Sequence, residues 1–322
     1  MPKKEVKKVA KKATSRAVSK TTSVARIGGR RGSRRTRRAK PRVGLDFRFL
    51  FLMLILVAGV YFFINPPGIS PIIDGEIAVH FIDVGQGEAT LITTRGGNIL
   101  IDGGDTPMGT RVSNYLRSVG VNSLTYVVAT HPHADHIGGL IEVLQVFDVG
   151  AVIMPQVAHT TRTFENFIEV LEDRNLPVRA PVAGHSFNLG GASFTIVAPN
   201  FSGYSNLNDY SIVLRMDYGD VSFLFTGDAE RLSEEEILAA GHDVSVDVLR
   251  VGHHGSHTST SENFLAAIDP TIAVISAGAN NQFGHPHGAV IDRLTNADIH
   301  IFRTDYHGTI VMSTDGREII VH

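Results

Sequence analysis

The sequence predicts an α+β domain, a four-layer αββα sandwich, preceded by a disordered basic tail and one transmembrane helix. Three observations carry this expectation. First, β-branched apolar runs take turns with helical patterns from residue 75 to the end. Second, that stretch holds a weak internal repeat: ATLITTRGGNILIDGG (89–104) resembles SIVLRMDYGDVSFLFTGD (211–228). Each is two strands around a Gly-containing turn that end in an Asp beside Gly. Each is followed by an apolar strand running into histidines, LTYVVATHPH (124–133) and VDVLRVGHHG (246–255). Two similar β-rich halves can bury one sheet against the other, with helices outside both. Third, composition changes abruptly near residue 48.

Along the chain the first element is the tail, residues 1–47. Residues 1–48 carry 18 Lys and Arg against Glu5 and Asp46, a net charge of +16. Large apolar side chains are nearly missing from residues 1–42, so no core can form there and disorder is expected. Residues 48–65 read as a membrane anchor, because FLFLMLILVAGVYFFI (49–64) has no charge and is apolar on every face. Sixteen residues fall short of the ~20 that span a bilayer, and Arg48 can snorkel to make up the difference. A cleaved signal peptide is the competing reading, disfavoured by the long basic region and the lack of a small-x-small site. The basic flank puts the tail in the cytoplasm and everything beyond the anchor outside. Residues 66–74, with Pro66 and Pro67, read as a short stiff linker.

From residue 75 to 322 the pattern is that of a globular domain. Strands are expected at 78–83, 89–93, 98–102, 124–130, 193–198, 211–217, 221–226, 246–251, 271–276, 299–303 and 309–313. Helices are expected at 111–119, 137–145, 162–173, 233–240, 261–268 and 289–296. Beyond residue 48 the 12 basic residues are all Arg and face 30 acids, a net of −18. Cys is absent, which excludes disulfides, thiolate catalysis and thiolate metal sites. A metal here must be held by carboxylates and by the 15 His, all of which lie beyond residue 79.

The strongest chemical signal is Thr130-His131-Pro132-His133-Ala134-Asp135-His136, between an apolar strand and a helix. Four candidate ligands in six residues can wrap around two adjacent cations. Imidazole and carboxylate suit Zn first, with Mn or Fe as alternatives. The blander reading is a polar turn in which Asp135 caps the helix. Three His packed this tightly with an Asp make it the weaker of the two.

His131-x-His133-x-Asp135-His136 resembles the signature of the metallo-β-lactamase fold superfamily, and the resemblance extends over residues 76–322. It implies that Asp228, in FTGD, bridges two metals, and that Asp102, in IDGG, supports the ligand loop from behind. VGHHGS (251–256) resembles the last ligand motif. Alignment of the two internal halves sets His253 against His131, so His253 is the preferred ligand and His254 the second choice. HFIDVGQGEATLI (80–92), NDYSIVL (208–214), VGHHGSHTST (251–260), NQFGHPHGAVIDRL (281–294) and RTDYHGTI (303–310) together resemble the C-terminal hydrolase domain of ComEC/Rec2-type competence proteins. Members of that family carry a many-helix channel and a small β-barrel before this domain, where this sequence has one anchor.

One departure from the superfamily pattern concerns the third His usual at the first metal. His159 and His185 lie in the right interval but in no suitable motif, and read as loop histidines; Asn208 occupies roughly the expected place. His285-Pro286-His287 precedes a helix, with His285 the candidate general acid and His287 a candidate substrate contact. The blander reading of that segment is a loop with a helix start. Gly85-Gln86-Gly87 offers backbone N–H groups for substrate, and Thr304-Asp305 is placed at the site rim.

The function expected is hydrolysis by a dinuclear metal site, two Zn or Mn ions activating a water as hydroxide, with Asp135, Asp228 and His285 as catalytic residues. The branch resembled implies an extracytoplasmic phosphodiesterase or nuclease acting on DNA, with a separate channel or uptake protein as partner. The −18 charge opposes binding of a phosphate polymer. It keeps two alternatives open: a hydrolase of a small ester, lactone or lactam, and a non-catalytic surface module with a structural metal.

Overall fold

The computed structural model describes residues 77–322. The tail (1–47), the anchor (48–65) and the linker (66–74) lie outside the described residues. Among the described residues no helix is long and apolar enough to cross a membrane.

The first half of the domain runs β1 (Ile77–Phe81), β2 (Thr90–Thr94), β3 (Gly97–Ile101), α1 (Gly109–Ser118), β4 (Ser123–Val128), α2 (Ala134–Ile137), α3 (Leu140–Val146), β5 (Asp148–Ile153), α4 (Arg162–Asp173) and β6 (Val178–Arg179). The second half runs β7 (Ser186–Leu189), β8 (Ala192–Ala198), β9 (Val213–Tyr218), β10 (Val221–Phe225), α5 (Arg231–Ala239), β11 (Val248–Arg250), α6 (Glu262–Ile268), β12 (Ile272–Ile275), α7 (Gly288–Asn296), β13 (His300–Arg303) and α8 (Thr304–His307). The chain then returns through β14 (Ile310–Thr314) and β15 (Ile319–Val321) to the first sheet. One sheet is ordered β15-β14-β1-β2-β3-β4-β5-β6 and the other β13-β12-β11-β10-β9-β8-β7.

Period-2 alternation sorts each strand's side chains between two apolar layers. Ile99 and Ile101 of β3 face the space between the sheets, as do Phe223 and Phe225 of β10. Leu100 faces the other way, toward Val112, Leu140 and Phe167 of α1, α3 and α4. Leu224 likewise turns toward Ile237, Phe264 and Val290 of α5, α6 and α7. Each fully buried Leu, Ile or Phe contributes ~2 kcal/mol of burial, and three such layers hold the four structural ones together. In α4 the apolar residues Phe164, Phe167, Val170 and Leu171 share one face, and Thr161 caps the helix through the Phe164 N–H.

Two sequence expectations change. The helix expected at 137–145 is broken, because the N–H of Gly139 bonds to the carbonyl of Gly104 and the N–H of Gly103 to that of His136. A Cβ on Gly139 would meet the Gly103 carbonyl oxygen at 1.9 Å, so only a glycine allows this approach. Strands β5, β6, β7 and β15 were not anticipated. In β5 a Gly and an Asp interrupt the apolar run, while β6 and β15 are only 2 and 3 residues long.

The internal repeat is real in topology. In both halves an antiparallel hairpin, β2–β3 or β9–β10, is followed by a parallel strand, β4 or β11. Strands β3 to β6 are mutually parallel, as are β10 to β13. Their C-terminal ends lead into the 102–104, 130–136, 226–228, 251–256, 276–287 and 304–307 segments, which carry most of the polar motifs.

Candidate metal centre

Asp102 follows β3 directly, in the left-handed region at φ 56°, and is fully buried. Its carboxylate accepts from the Thr130 backbone N–H at 2.8 Å, the Thr130 hydroxyl at 2.6 Å and His136 Nδ1 at 2.7 Å. That bond makes Nδ1 the protonated nitrogen of His136 and turns its Nε2 toward Asp228 Oδ2, 3.2 Å away.

Three other imidazoles are held in the same manner. His254 Nδ1 donates to the Ser276 carbonyl at 2.9 Å, and its Nε2 lies 3.3 Å from Asp135 Oδ2 and 3.6 Å from Asp228 Oδ2. His253 Nδ1 sits 3.2 Å from Glu230 Oε1, with Nε2 3.7 Å from Asp228 Oδ2. His131 Nδ1 is within 3.1 Å of the Thr130 hydroxyl and 3.3 Å of the Ser211 hydroxyl. Its Nε2 lies 3.8 Å from Asp228 Oδ2 and 2.9 Å from His133 Nδ1. One carboxylate oxygen is thus ringed by four Nε2 atoms.

The donor set fits a divalent cation. His136 Nε2, His254 Nε2 and Asp228 Oδ1 are buried without a hydrogen bond of good geometry, two of them only facing carboxylate oxygens at 3.2 and 3.3 Å, an arrangement that a shared cation would satisfy. Ligand atoms of His131, His136 and Asp228 lie within 4.8 Å of one another, as do those of Asp135, His136 and His254. A third group, Glu88, Asp102 and His136, is equally tight. We read it as support, because Asp102 is already satisfied and Glu88 pairs with Arg250. Burial lowers His131 well below the usual imidazole range, and His136 adds to the effect, so it presents a neutral nitrogen. Against the opposing effect of burial, His136, His254 and His253 hold the Asp228 carboxyl well below the carboxylate range.

Beneath the cluster, Arg250 and Glu88 form an ion pair at 2.6 Å, both with fully buried side chains. Burial pushes Glu88 up to about 7, and Arg250 opposes that rise. Arg250 also donates to the Gly227 carbonyl and lies 3.9 Å from Asp228 Oδ1, so it braces the turn that presents Asp228. Neither residue was singled out from sequence, although a charged residue ending an otherwise apolar strand is a signal of a buried partner. Glu230 was also missed; its Oε1 accepts from Asn208 Nδ2 at 2.9 Å.

The structure brings His131, His133, Asp135, His136 and Asp228 together, and it reverses the preference between His253 and His254. Strand register does set His253 against His131, since each lies three residues past the paired ends Arg250 (with Phe225) and Val128 (with Ile101). But His253 and His254 both adopt left-handed backbone, at φ 47° and 54°, and this turn carries His254 into the group with Asp135 and His136. The same register shows Asp102 equivalent to Thr226, so the aspartates that the repeat aligned are two residues apart.

The remaining candidates surround this cluster. Asn208 braces Glu230, and its own Oδ1 is buried without a partner. His285 lies 5.4 Å from the His253 ring and 6.3 Å from His254; burial, then His253, His254 and His287, bring it down to about 4. His287 Nδ1 accepts from the His257 N–H at 3.0 Å. Gln86 Oε1 accepts from the Gly278 N–H, while Thr304 bonds the Ala277 backbone and Asp305 pairs with Arg303. His159, read as a loop histidine, stands half-buried with its ring 5.7 Å from that of His133. His185 is exposed.

A family model described as Metallo-beta-lactamase superfamily matches residues 82–279. ComE operon protein 3 of Bacillus subtilis (strain 168) is 30% identical over 260 residues, which cover 75% of this chain and 34% of that protein. Recombination protein 2 of Haemophilus influenzae is 34% identical over 221 residues, covering 67% of this chain and 26% of that protein. The chain therefore spans about a third or less of the curated relatives it matches. Among solved structures, CmlA, a diiron beta-hydroxylase from Streptomyces venezuelae, aligns with a TM-score of 0.50 at 13% identity, over 74% of this chain and 54% of that one. At that identity the likeness concerns the fold alone. With its two mixed sheets, its buried His and Asp cluster and the family match over most of the domain, the chain belongs to the metallo-beta-lactamase superfamily and is distantly related to the competence proteins.

Proposed function

We propose that the domain is a dinuclear metal-dependent phosphodiesterase, acting on DNA or a related phosphodiester. The observation that carries the reading is Asp228, one carboxylate oxygen facing four imidazole nitrogens with orphaned buried atoms beside it. His131, His133 and Asp228 would hold one cation, and Asp135, His136, His254 and Asp228 the other. Zn is the first choice and Mn the second. When bound, two such cations supply water activation near neutral pH and stabilisation of negative charge on the substrate.

The chain's own residues do the rest. Asp102 and the Ser276 carbonyl fix the tautomers of His136 and His254, so that each presents Nε2 to the cluster. Glu230, steadied by Asn208, does the same for His253. His285 stands beside these rings; an imidazole brought down to about 4 is neutral at pH 7, so in place of the expected general-acid role it would hydrogen-bond and orient the substrate, with His287 and Gln86 at the rim as further substrate contacts. The relatives named for competence and recombination support the choice of a phosphodiester.

The −18 charge of the chain beyond residue 48 favours a second reading, hydrolysis of a small ester, lactone or lactam. A non-catalytic module with a structural metal is the least favoured, since a purely structural site could do without Asp135. We further propose that residues 48–65 anchor the domain outside the cytoplasmic membrane, where a separate channel or uptake protein would be its partner. The full chain, loaded with Zn or Mn, should bind close to two metal equivalents and hydrolyse a bis-aryl phosphodiester and single-stranded DNA. Hydrolysis of an aryl ester alone would replace the phosphodiester reading with the second one.

A further inference from the structure

Phe283 sits on the loop between β12 and α7 and is 53% exposed. The Asn281 carboxamide oxygen accepts from the N–H groups of Phe283 and His285, while its NH₂ donates to the carbonyls of Gly278 and His285. The loop therefore presents the ring to solvent in a fixed place.

The direction of presentation is informative. Phe283 stacks on His285 with ring centroids 5.7 Å apart and planes at 24°. His285 in turn stacks near His254, 6.3 Å apart at 27°. The rings of His254, His285 and Phe283 thus follow one another from the buried cluster to the surface, each tilted by 24° to 27° from the next. Tyr306, on the segment after the neighbouring strand β13, is 73% exposed, and the Arg303 guanidinium lies 4.1 Å over its ring. Two exposed aromatic residues therefore follow adjacent strands at the sheet edge where the cluster lies.

We propose that Phe283 is a stacking platform for a nucleobase of the substrate, placed one ring beyond His285. The assignment rests on the phosphodiester reading above and names what that site would grip besides phosphate. Base-on-aromatic stacking is independent of charge, so it supplies affinity where a net acidic domain gains little from phosphate contacts. It also tolerates any base, since each has a flat face. The expected loss on removing the ring is about 5- to 100-fold in affinity.

The chain contains no Trp, so Phe283→Trp introduces a single fluorescent reporter at this position. In the full chain, in detergent micelles with Zn, a single-stranded oligonucleotide should quench its emission. An abasic oligonucleotide of equal length and charge should not. Phe283→Leu should bind the base-bearing strand about 5- to 100-fold more weakly and no longer prefer it to the abasic strand, with its metal content intact. Equal quenching by both strands, or a Phe283→Leu chain with undiminished preference, would overturn the platform. If the wild-type chain hydrolyses a bis-aryl phosphodiester while either result holds, only the platform falls. If wild type hydrolyses no phosphodiester, the underlying reading falls with it.

Discussion

Asp228 faces His131, His136, His253 and His254, so Asp228→Asn removes a central anion without changing volume. Hydrolysis should fall by about 10²-fold or more, whereas the near-UV circular dichroism stays native because the core lies between and outside the sheets. For the consecutive pair, His254→Ala should cost a metal equivalent by elemental analysis and His253→Ala should cost less, since only His254 groups tightly with Asp135 and His136. His80 is a third informative residue, distant from this chemistry. It is buried in β1, its Nδ1 lies 2.8 Å from the Tyr115 hydroxyl, and burial, with His322 nearby, lowers it from 6.5 to about 4. Between pH 6.5 and 4 the unfolded chain binds a proton that the folded domain refuses. Stability from this residue is therefore complete above 6.5 and declines as pH falls through the window, by on the order of 3 kcal/mol. Urea unfolding at pH 7 and pH 4.5 should show a shallower pH dependence for His80→Gln than for wild type.

Among the elements, the break between α2 and α3 depends on contact rather than on backbone freedom. Gly139 has ordinary helical angles, φ −73° and ψ −21°, but the Gly103 carbonyl occupies the place of its Cβ. Gly139→Ala should lower stability by about 3 kcal/mol in thermal unfolding, and the shift of the 103–104 segment should loosen Asp102 and with it metal binding. Gly288 is the control: a Cβ there meets nothing within 4 Å, and it is the first residue of α7. Gly288→Ala should be neutral or slightly stabilising, as Ala is the better helix former by about 1 kcal/mol. Ser261, the cap of α6, should cost about 1 kcal/mol when replaced by Ala.

For the whole molecule, the +16 of residues 1–48 beside an uncharged segment predicts opposite fates for the two ends. Protease added to intact cells should remove residues 75–322 and spare the tail. Protection of the domain would reverse the proposed orientation. The −18 on the remainder makes a second test available. If phosphate contacts dominate binding of a nucleic acid, affinity should fall steeply with salt; if stacking on Phe283 matters, a base-dependent part should persist.

The contiguous run of His and Asp from His131 to His136 was legible because a strand-to-helix turn brings near neighbours together whatever the rest of the chain does. The sandwich was legible for a related reason, since period-2 alternation and a repeated hairpin are local patterns. Asp102 and Asp228 were singled out by family resemblance, and both carboxylates lie against His136. What only the tertiary structure decided depends on long-range meetings and on backbone sign. Glu88 and Arg250 are 162 positions apart and cancel each other's charge in the core. Asn208, before β9, and Glu230, after its antiparallel partner β10, meet at the open end of that hairpin to orient His253. His254, and not His253, groups with Asp135 and His136, where two successive left-handed residues turn the chain, a conformation that no spacing in the sequence encodes. Hydrophobic period is a property of neighbours along the chain and can be read there; the partner of a buried charge, and the direction in which a turn aims a ring, are set by which strands lie side by side.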